Sequence, residues 1–345
     1  MPNGDHTRVR TCAGYQGKPS KDLMAVGNEV RKSLVLFVGG EGRSGSTVLS
    51  ALLGQHHGFF PVGELHGIWQ AVLTNELCSC GQSFRDCPFW TRVGADAFGQ
   101  WDDVDVSRML ALDTKFTRHR YIHRVVASRV ANRSRDEMEE YVQILTSLYQ
   151  SVREVSGCQV IVDSSKDPPY AFLLRQSRRL DIRLVHLVRD SRGVAYSWGK
   201  TGVARPEYAD HPTLAGTFMN TRRPWRSAVE WDVKNLLFEW LGKTGTPRIL
   251  VRYESLASAP EHTLRRIVDY ASTGKRSNHP EIQSPPGRRH HMLGGNRVRF
   301  KRGIGPIRLD EEWRRQMQLG RRAVVTAVSA PLLARYGYLG SHKPG

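Results

Sequence analysis

Short apolar runs punctuate the chain, and each is followed by a turn rich in glycine or proline and then by a segment of different period. Leu34-Val35-Leu36-Phe37-Val38 has no polar position, Phe59 to Val62 runs into Gly63, and Gln159 to Val162 runs into Asp163. Leu180 to Val188 and Arg248 to Leu256 complete the set. Runs of this length without alternation suit strands covered on both faces, as in a parallel sheet. Between them the spacing of apolar residues changes to three and four. Helices are expected over Val48–Leu53, through Asp102–Gly157 (Tyr121, Ile122, Val125, Val126, then Tyr141, Ile144, Leu145, Leu148, Tyr149), over Trp225–Leu241, and over Asp310–Arg335. Alternating strands and helices predict an α/β fold with a central parallel sheet flanked by helices.

The most informative turn follows the first run: Gly39-Gly40-Glu41-Gly42-Arg43-Ser44-Gly45-Ser46-Thr47. Its glycines permit a sharp reversal and close approach of a ligand, and the free N–H groups of the helix after it favour an anion. Gly40 to Gly45 followed by Ser46-Thr47 nearly fits the nucleotide loop G-x-x-x-x-G-K-[ST], with Ser46 at the lysine position. The usual cation for β- and γ-phosphates is therefore missing, and Arg43 is its replacement. ATP-dependent phosphoryl transfer becomes the weaker of two readings.

At the second strand end lie Glu64-Leu65-His66, where a parallel sheet delivers residues to its ligand-binding edge. Group transfer at such an edge needs a general base, and Glu64 is the first candidate, with His66 the second. At the third, Lys166 precedes Pro168-Pro169 on a turn held out of helix, placed to neutralise charge on a leaving oxygen. At the fourth, Arg189-Asp190-Ser191-Arg192-Gly193 opens a helix that carries Ser197, so an arginine at the strand end and a serine two turns on are set to share one phosphate.

These residues resemble the sulfotransferases that use 3′-phosphoadenosine 5′-phosphosulfate (PAPS). The first loop matches that family's R-[SK]-G-[ST]-T, and Arg189 with Ser197 match its R-D-P-R-[DG]-x-x-x-S element, with Ser191 in place of proline. Lys166-Asp167-Pro168-Pro169-Tyr170 is similar to K-T-P-x-Y, and Glu64-Leu65-His66 to an E-x-H element. The resemblance implies a P-loop-like three-layer sandwich and a PAPS donor. Gly42, Arg43, Ser44, Gly45, Ser46 and Thr47 would grip the 5′-phosphosulfate, and Arg189 and Ser197 the 3′-phosphate. Tyr253, in a segment like R-Y-E-D-L, would lie near the adenine. Arg297 and Arg299, in a segment like G-N-x-x-R-F, would contact cofactor phosphate. The implied acceptor is a hydroxyl of a carbohydrate, lipid or natural product.

Of the cysteines Cys12, Cys78, Cys80, Cys87 and Cys158, three fall in Cys78-Ser79-Cys80…Cys87-Pro88-Phe89-Trp90. An odd number without a signal peptide argues against a secreted disulfide framework. C-x-C-x6-C offers three thiols and no fourth ligand, so buried reduced thiols are expected and no metal. Similar segments in bacterial sulfotransferases make 70–157 read as a mostly helical insertion near the acceptor site.

The chain has 345 residues and 39% hydrophobic content, enough for a sizeable core. Its 51 Lys+Arg against 33 Asp+Glu give a net charge of +18, which attracts polyanions, acidic membrane surfaces and multiply phosphorylated cofactors alike. No zinc-finger, helix-turn-helix or aromatic-interleaved basic repeat supports the alternative of a nucleic-acid-binding protein. Residues 1–32 read as a polar, flexible tail and 33–340 as the sulfotransferase domain. The absence of an apolar run long enough for a leader or a membrane span leads to a cytoplasmic expectation.

Overall fold

Parity along the first strand sets the layers. The computed structural model describes residues 32–118, 132–203, 217–272, 290–301, 305 and 307–339. In β1 (Ser33–Gly39), Val35 and Phe37 join one buried cluster while Leu36 and Val38 join another on the opposite face. A strand that is apolar at every position is thus covered from both sides.

The order along the chain is β1, α1 (Ser46–Leu53), β2 (Phe59–Gly63), α2 (Ile68–Thr74), α3 (Pro88–Phe98), α4 (Val106–Phe116), α5 (Asn132–Ser156) and β3 (Val160–Asp163). Then come α6 (Pro168–Leu174), β4 (Leu180–Val188), α7 (Ser191–Trp198), α8 (Pro224–Lys243), β5 (Arg248–Arg252), α9 (Tyr253–Ser258), α10 (Pro260–Ala271), α11 (Glu312–Gln316) and α12 (Leu319–Arg335). The sheet order is β2-β3-β1-β4-β5, and every pairing is parallel. This is the α/β fold with a central parallel sheet that the pattern predicts, and it accords with the P-loop-like sandwich that the resemblance implies. With β1 at the centre, the strand order reverses there, and ligand sites in open α/β sheets form at that crevice, beyond the carboxyl ends of the strands.

The larger cluster lies under α2 to α6 and contains Trp69, Trp90, Tyr141, Tyr149 and Tyr170, each essentially inaccessible. Burying side chains of this size stabilises the fold by roughly 1.5–3 kcal/mol each. The opposite cluster joins Leu49 and Leu53 of α1 to Leu264 and Ile267 of α10.

Two element boundaries differ from expectation. β5 stops at Arg252, because Tyr253 opens α9; the apolar run to Leu256 continues as the buried face of that helix. The expected last helix is two, α11 and α12, parted at Met317-Gln318, and Met317 has extended backbone (φ −77°, ψ 123°). Residues 1–31 of the tail expected at 1–32, and residues 119–131 of the helical stretch expected through Asp102–Gly157, fall outside the described residues.

Candidate functional site

The β1–α1 turn is shaped by positive backbone torsions. Gly40 has φ 138°, and a Cβ there would meet the Leu187 carbonyl oxygen at 2.1 Å, so only glycine fits against β4. Gly45 has φ 91° and is the N-cap of α1. No side chain caps that helix and no acidic residue lies in its first turn, which leaves its N–H groups facing the loop. Arg43 is also left-handed, with φ 69°; a non-glycine residue there carries strain that clusters at functional sites. The Arg43 Nε and the Ser44 Oγ are buried without a hydrogen-bond partner. Burial, then the charges of Arg189 and Arg222, pull Arg43 below the usual guanidinium range. An anion in this loop would satisfy both donors and relieve that crowding.

Behind the loop, Glu41 is buried and pairs with Arg222 at 2.9 Å and Lys234 at 3.1 Å. Burial alone would raise its carboxyl, but the Lys234 and Arg222 charges hold it below the ordinary range. Trp198 stacks on the Arg222 guanidinium at 3.7 Å and lies 5.4 Å from that of Arg43. A Cβ on Gly42 would strike its ring at 2.8 Å.

Arg189 leaves β4 with its side chain 7% exposed. Its guanidinium donates to the Arg43 carbonyl at 2.9 Å and to Asp310 Oδ2 at 3.0 Å, and it lies 4.6 Å over the Tyr253 ring. Tyr253 also closes on the loop, for a Cβ on Gly45 would meet it at 2.8 Å. Asp190 and Arg192 have an internal task. Asp190 caps α7 and binds the Arg192 guanidinium at 2.6 Å, while Arg192 donates to the Tyr338 carbonyl at 3.0 Å.

On the other side of β1, Lys166 Nζ donates to Glu64 Oε1 and, at 2.9 Å, to the Ser164 carbonyl. Lys166 has φ 58°, another left-handed non-glycine residue. Burial would raise the Glu64 carboxyl, yet the charge and hydrogen bond of Lys166 hold it below its usual range. His66 is pushed down to about 4 by burial, against the pull of Glu64, so its ring is neutral at pH 7. The His66 amide donates to Ser165 Oγ at 3.0 Å, and Ser165 is in turn fixed by Asp163, whose carboxyl burial raises to about 6. The segment from Leu293 to Asn296 runs alongside. Glu64 N donates to the Leu293 carbonyl at 2.8 Å and Asn296 N to Thr47 Oγ1 at 3.2 Å, which ties this edge to α1.

A family model described as "Sulfotransferase family" matches residues 36–274. The chain belongs to the sulfotransferase family. Solved structures similar to it include the sulfotransferase domain of the Synechococcus PCC 7002 olefin synthase, 17% identical with a TM-score of 0.48, covering 90% of this chain and 97% of that one. The sulfotransferase domain from the curacin biosynthetic pathway is 16% identical with a TM-score of 0.45, covering 88% and 98%. Sulfotransferase STF9 from Mycobacterium avium is 15% identical with a TM-score of 0.37, covering 70% and 64%. Among curated proteins, none matches the chain.

In this sulfotransferase the expected residues fall into two groups on one edge of the sheet. Gly42, Arg43, Ser44, Gly45, Ser46, Thr47, Arg189 and Tyr253 gather beyond β1, β4 and β5, and Glu64, His66 and Lys166 beyond β2 and β3. Ser197 sits half-buried in the last turn of α7. Arg297 is exposed. Arg299 is buried and donates to Glu76 Oε1 and to the Leu77 carbonyl, both at 3.1 Å, while its charge also reaches Glu64. Sequence reasoning missed Glu41, Arg222, Lys234 and Asp310 as parts of the site. Glu41 was findable, since a carboxylate inside an anion loop demands buried cations nearby; its partners carry no local signal. Among the described residues no helix is long and apolar enough to cross a membrane.

Proposed function

We propose that this sulfotransferase takes sulfonate from PAPS and passes it to the hydroxyl of a small-molecule acceptor. The observation that carries this reading is the adjacency of two features. One is an anion loop with buried, unpartnered donors at Arg43 and Ser44. The other, fixed to it through Thr47 and Asn296, is the half-buried Glu64–Lys166 pair. The residues fit the donor: the loop and α1 suit its 5′-phosphosulfate and Arg189 with Ser197 its 3′-phosphate, while Tyr253, under the Arg189 guanidinium, would lie near its adenine. When bound, the donor supplies an electrophilic sulfur joined to a good leaving phosphate.

Glu64 is ionised at neutral pH, because the charge and hydrogen bond of Lys166 hold its carboxyl low. It accepts the proton of an acceptor hydroxyl placed beside it, which makes that oxygen nucleophilic. Lys166 is held between Glu64 and the Ser164 carbonyl, and its ammonium stabilises negative charge growing on the bridging oxygen. Neutral His66 orients rather than carries charge. A carbohydrate, a lipid or a natural-product alcohol all suit this chemistry.

Calorimetric titration with 3′-phosphoadenosine 5′-phosphate, repeated with AMP and with Arg189→Ala, tests the reading. Binding that weakens at least tenfold on losing either the 3′-phosphate or Arg189 is expected. Equal affinity for AMP and the bisphosphate would refute the donor assignment, and magnesium-dependent binding of ATP in its place would return the loop to phosphoryl transfer.

A further inference from the structure

We infer that Cys78, Cys80, Cys87 and His291 form a structural zinc site that pins the 290–301 segment against the Glu64 edge. The ligand atoms of these four residues all lie within 4.8 Å of one another. Cys87 Sγ is 3.7 Å from both Cys78 Sγ and Cys80 Sγ. His291 Nδ1 is 3.2 Å from Cys87 Sγ and 3.8 Å from Cys78 Sγ. A disulfide requires sulfurs about 2.05 Å apart. A tetrahedral zinc ion with Zn–S near 2.3 Å and Zn–N near 2.0–2.1 Å requires S–S edges of about 3.8 Å and S–N edges of about 3.6 Å. The observed sulfur–sulfur separations match the second set, and the two sulfur–nitrogen ones bracket it. Three thiolates and one imidazole are the donor set of closed, structural zinc sites, and soft sulfur ligands in a tetrahedron disfavour magnesium or calcium.

The surroundings are built for it. Cys78 to Gln82 forms a tight knuckle: Gly81 has φ 91°, its N–H donates to the Cys78 carbonyl at 2.9 Å, and Cys78 N donates to the Gln82 carbonyl at 2.8 Å. Cys87 is the N-cap of α3, with Pro88 behind it, where helix N–H groups favour a thiolate. The His291 ring is held face to face with Phe89, centroids 4.9 Å apart at 17°. The missing fourth ligand, on which the expectation of plain thiols rested, comes from a residue 204 positions after Cys87.

A metal here would have a defined mechanical role. Two residues beyond His291, Leu293 pairs with Gly63 as a short extra bridge on the sheet, and Leu293 N donates to the Val62 carbonyl at 3.0 Å. Gly294 and Gly295 then pass so close to Glu64 that a Cβ on either would come within 3.0–3.2 Å of its side chain. Ser79, inside the knuckle, exchanges hydrogen bonds with His290 and Met292. Zinc would therefore anchor one wall of the pocket around Glu64 to the α2–α3 connection.

The test is the metal content of the full-length protein purified under reducing conditions without chelator, with cobalt exchange as a second readout. About one zinc per chain is expected, and cobalt should give the thiolate charge-transfer and visible bands of a tetrahedral site. Cys80→Ser, the half-buried position, and His291→Ala should each lower zinc retention at least tenfold against a competing chelator. Zinc should also shield the three thiols from a disulfide reagent. Protein with well under one zinc, no cobalt spectrum on reconstitution, and thiols equally reactive with and without zinc would overturn the inference. So would undiminished zinc retention by both variants, or iron in place of zinc.

Discussion

The two halves of the candidate site are built on different plans. Beyond β1, the anion loop is made by nine consecutive residues, Gly39 to Thr47, whose shape comes from their own torsions at Gly40, Arg43 and Gly45. Beyond β2 and β3, Glu64, Lys166, Glu76, His291 and Arg299 meet from segments up to hundreds of positions apart. A contiguous loop presents backbone N–H groups, which any sequence has, so its information lies in where side chains must be small. An assembled pocket presents side chains, so its information lies in which strands are neighbours. The first half should therefore fail in binding and the second in turnover, and the substitutions below separate the two.

The largest effect is expected at the assembled half. Glu64→Gln should lower turnover by roughly 10²–10⁴-fold, and Lys166→Met by roughly 10²–10³-fold, with bisphosphate affinity changed less than threefold in each. Single-turnover rates alongside calorimetry check this. Near-normal turnover by Glu64→Gln would move the base to another group.

Next comes Gly45→Ala. The left-handed torsion costs a side chain about 1–2 kcal/mol, and the new Cβ would meet Tyr253 at 2.8 Å. Binding of the bisphosphate should fall at least tenfold, while unfolding in urea shifts by only a few kcal/mol. Unchanged affinity would show that the loop does not hold the anion.

A smaller effect probes what supports the loop from behind. Lys234→Met leaves the buried Glu41 carboxylate with Arg222 alone. Removing one partner of a buried ion pair costs up to 3–5 kcal/mol, and about 1–3 kcal/mol is expected here, where one cation remains. Urea unfolding measures it, and a loss equal to that of a surface lysine would make the pair irrelevant to stability.

The smallest effect lies away from both halves and serves as their control. His186 sits in β4, its Nδ1 accepting from Arg248 at 2.9 Å and its Nε2 facing Asn235 Oδ1 at 2.7 Å. Burial first, and then the Arg248 charge, push it down to about 4, against the hydrogen bond to Asn235. The unfolded chain takes a proton on such a residue near 6.5 and the fold only near 4. The contribution is thus complete above about pH 6.5 and is lost as the pH falls toward 4, by at most roughly 3 kcal/mol. Wild type should lose more stability between pH 7 and 4.5 than His186→Gln does. His66, depressed in the same way, is present in both proteins and cancels. Equal losses would dismiss the histidine.

How much was legible follows the same division. The apolar runs specified every strand and the parallel sheet: β1, covered on both faces, has no polar position from Leu34 to Val38, while β4 keeps Asp181, Arg183 and His186 and edge strand β5 keeps an arginine at each end, so those two were legible from their apolar centres. Their ends were less clear. The run through Leu256 kept its apolar character across the turn at Tyr253, and a short amphipathic helix cannot be told from a strand by apolarity alone. Glu64 and Arg189 were legible because each follows a strand directly, and Arg43 and Lys166 because each lies in the short turn after one, so that naming the strand end placed the residue on the ligand edge. Arg299 was legible only as a basic residue on a glycine-rich segment; its burial on Glu76 depends on a contact 223 positions away.

The amino-acid sequence by itself determined the sheet, the anion loop and the arginine at the end of β4, since each is written within a few consecutive residues and governed by local torsion and burial. Only the tertiary structure decided that β2 and β3 lie side by side, that Glu64 therefore meets Lys166, and that Cys78, Cys80 and Cys87 meet His291. The reason is that those encounters depend on strand order and on the return of a distant segment, which no local period encodes.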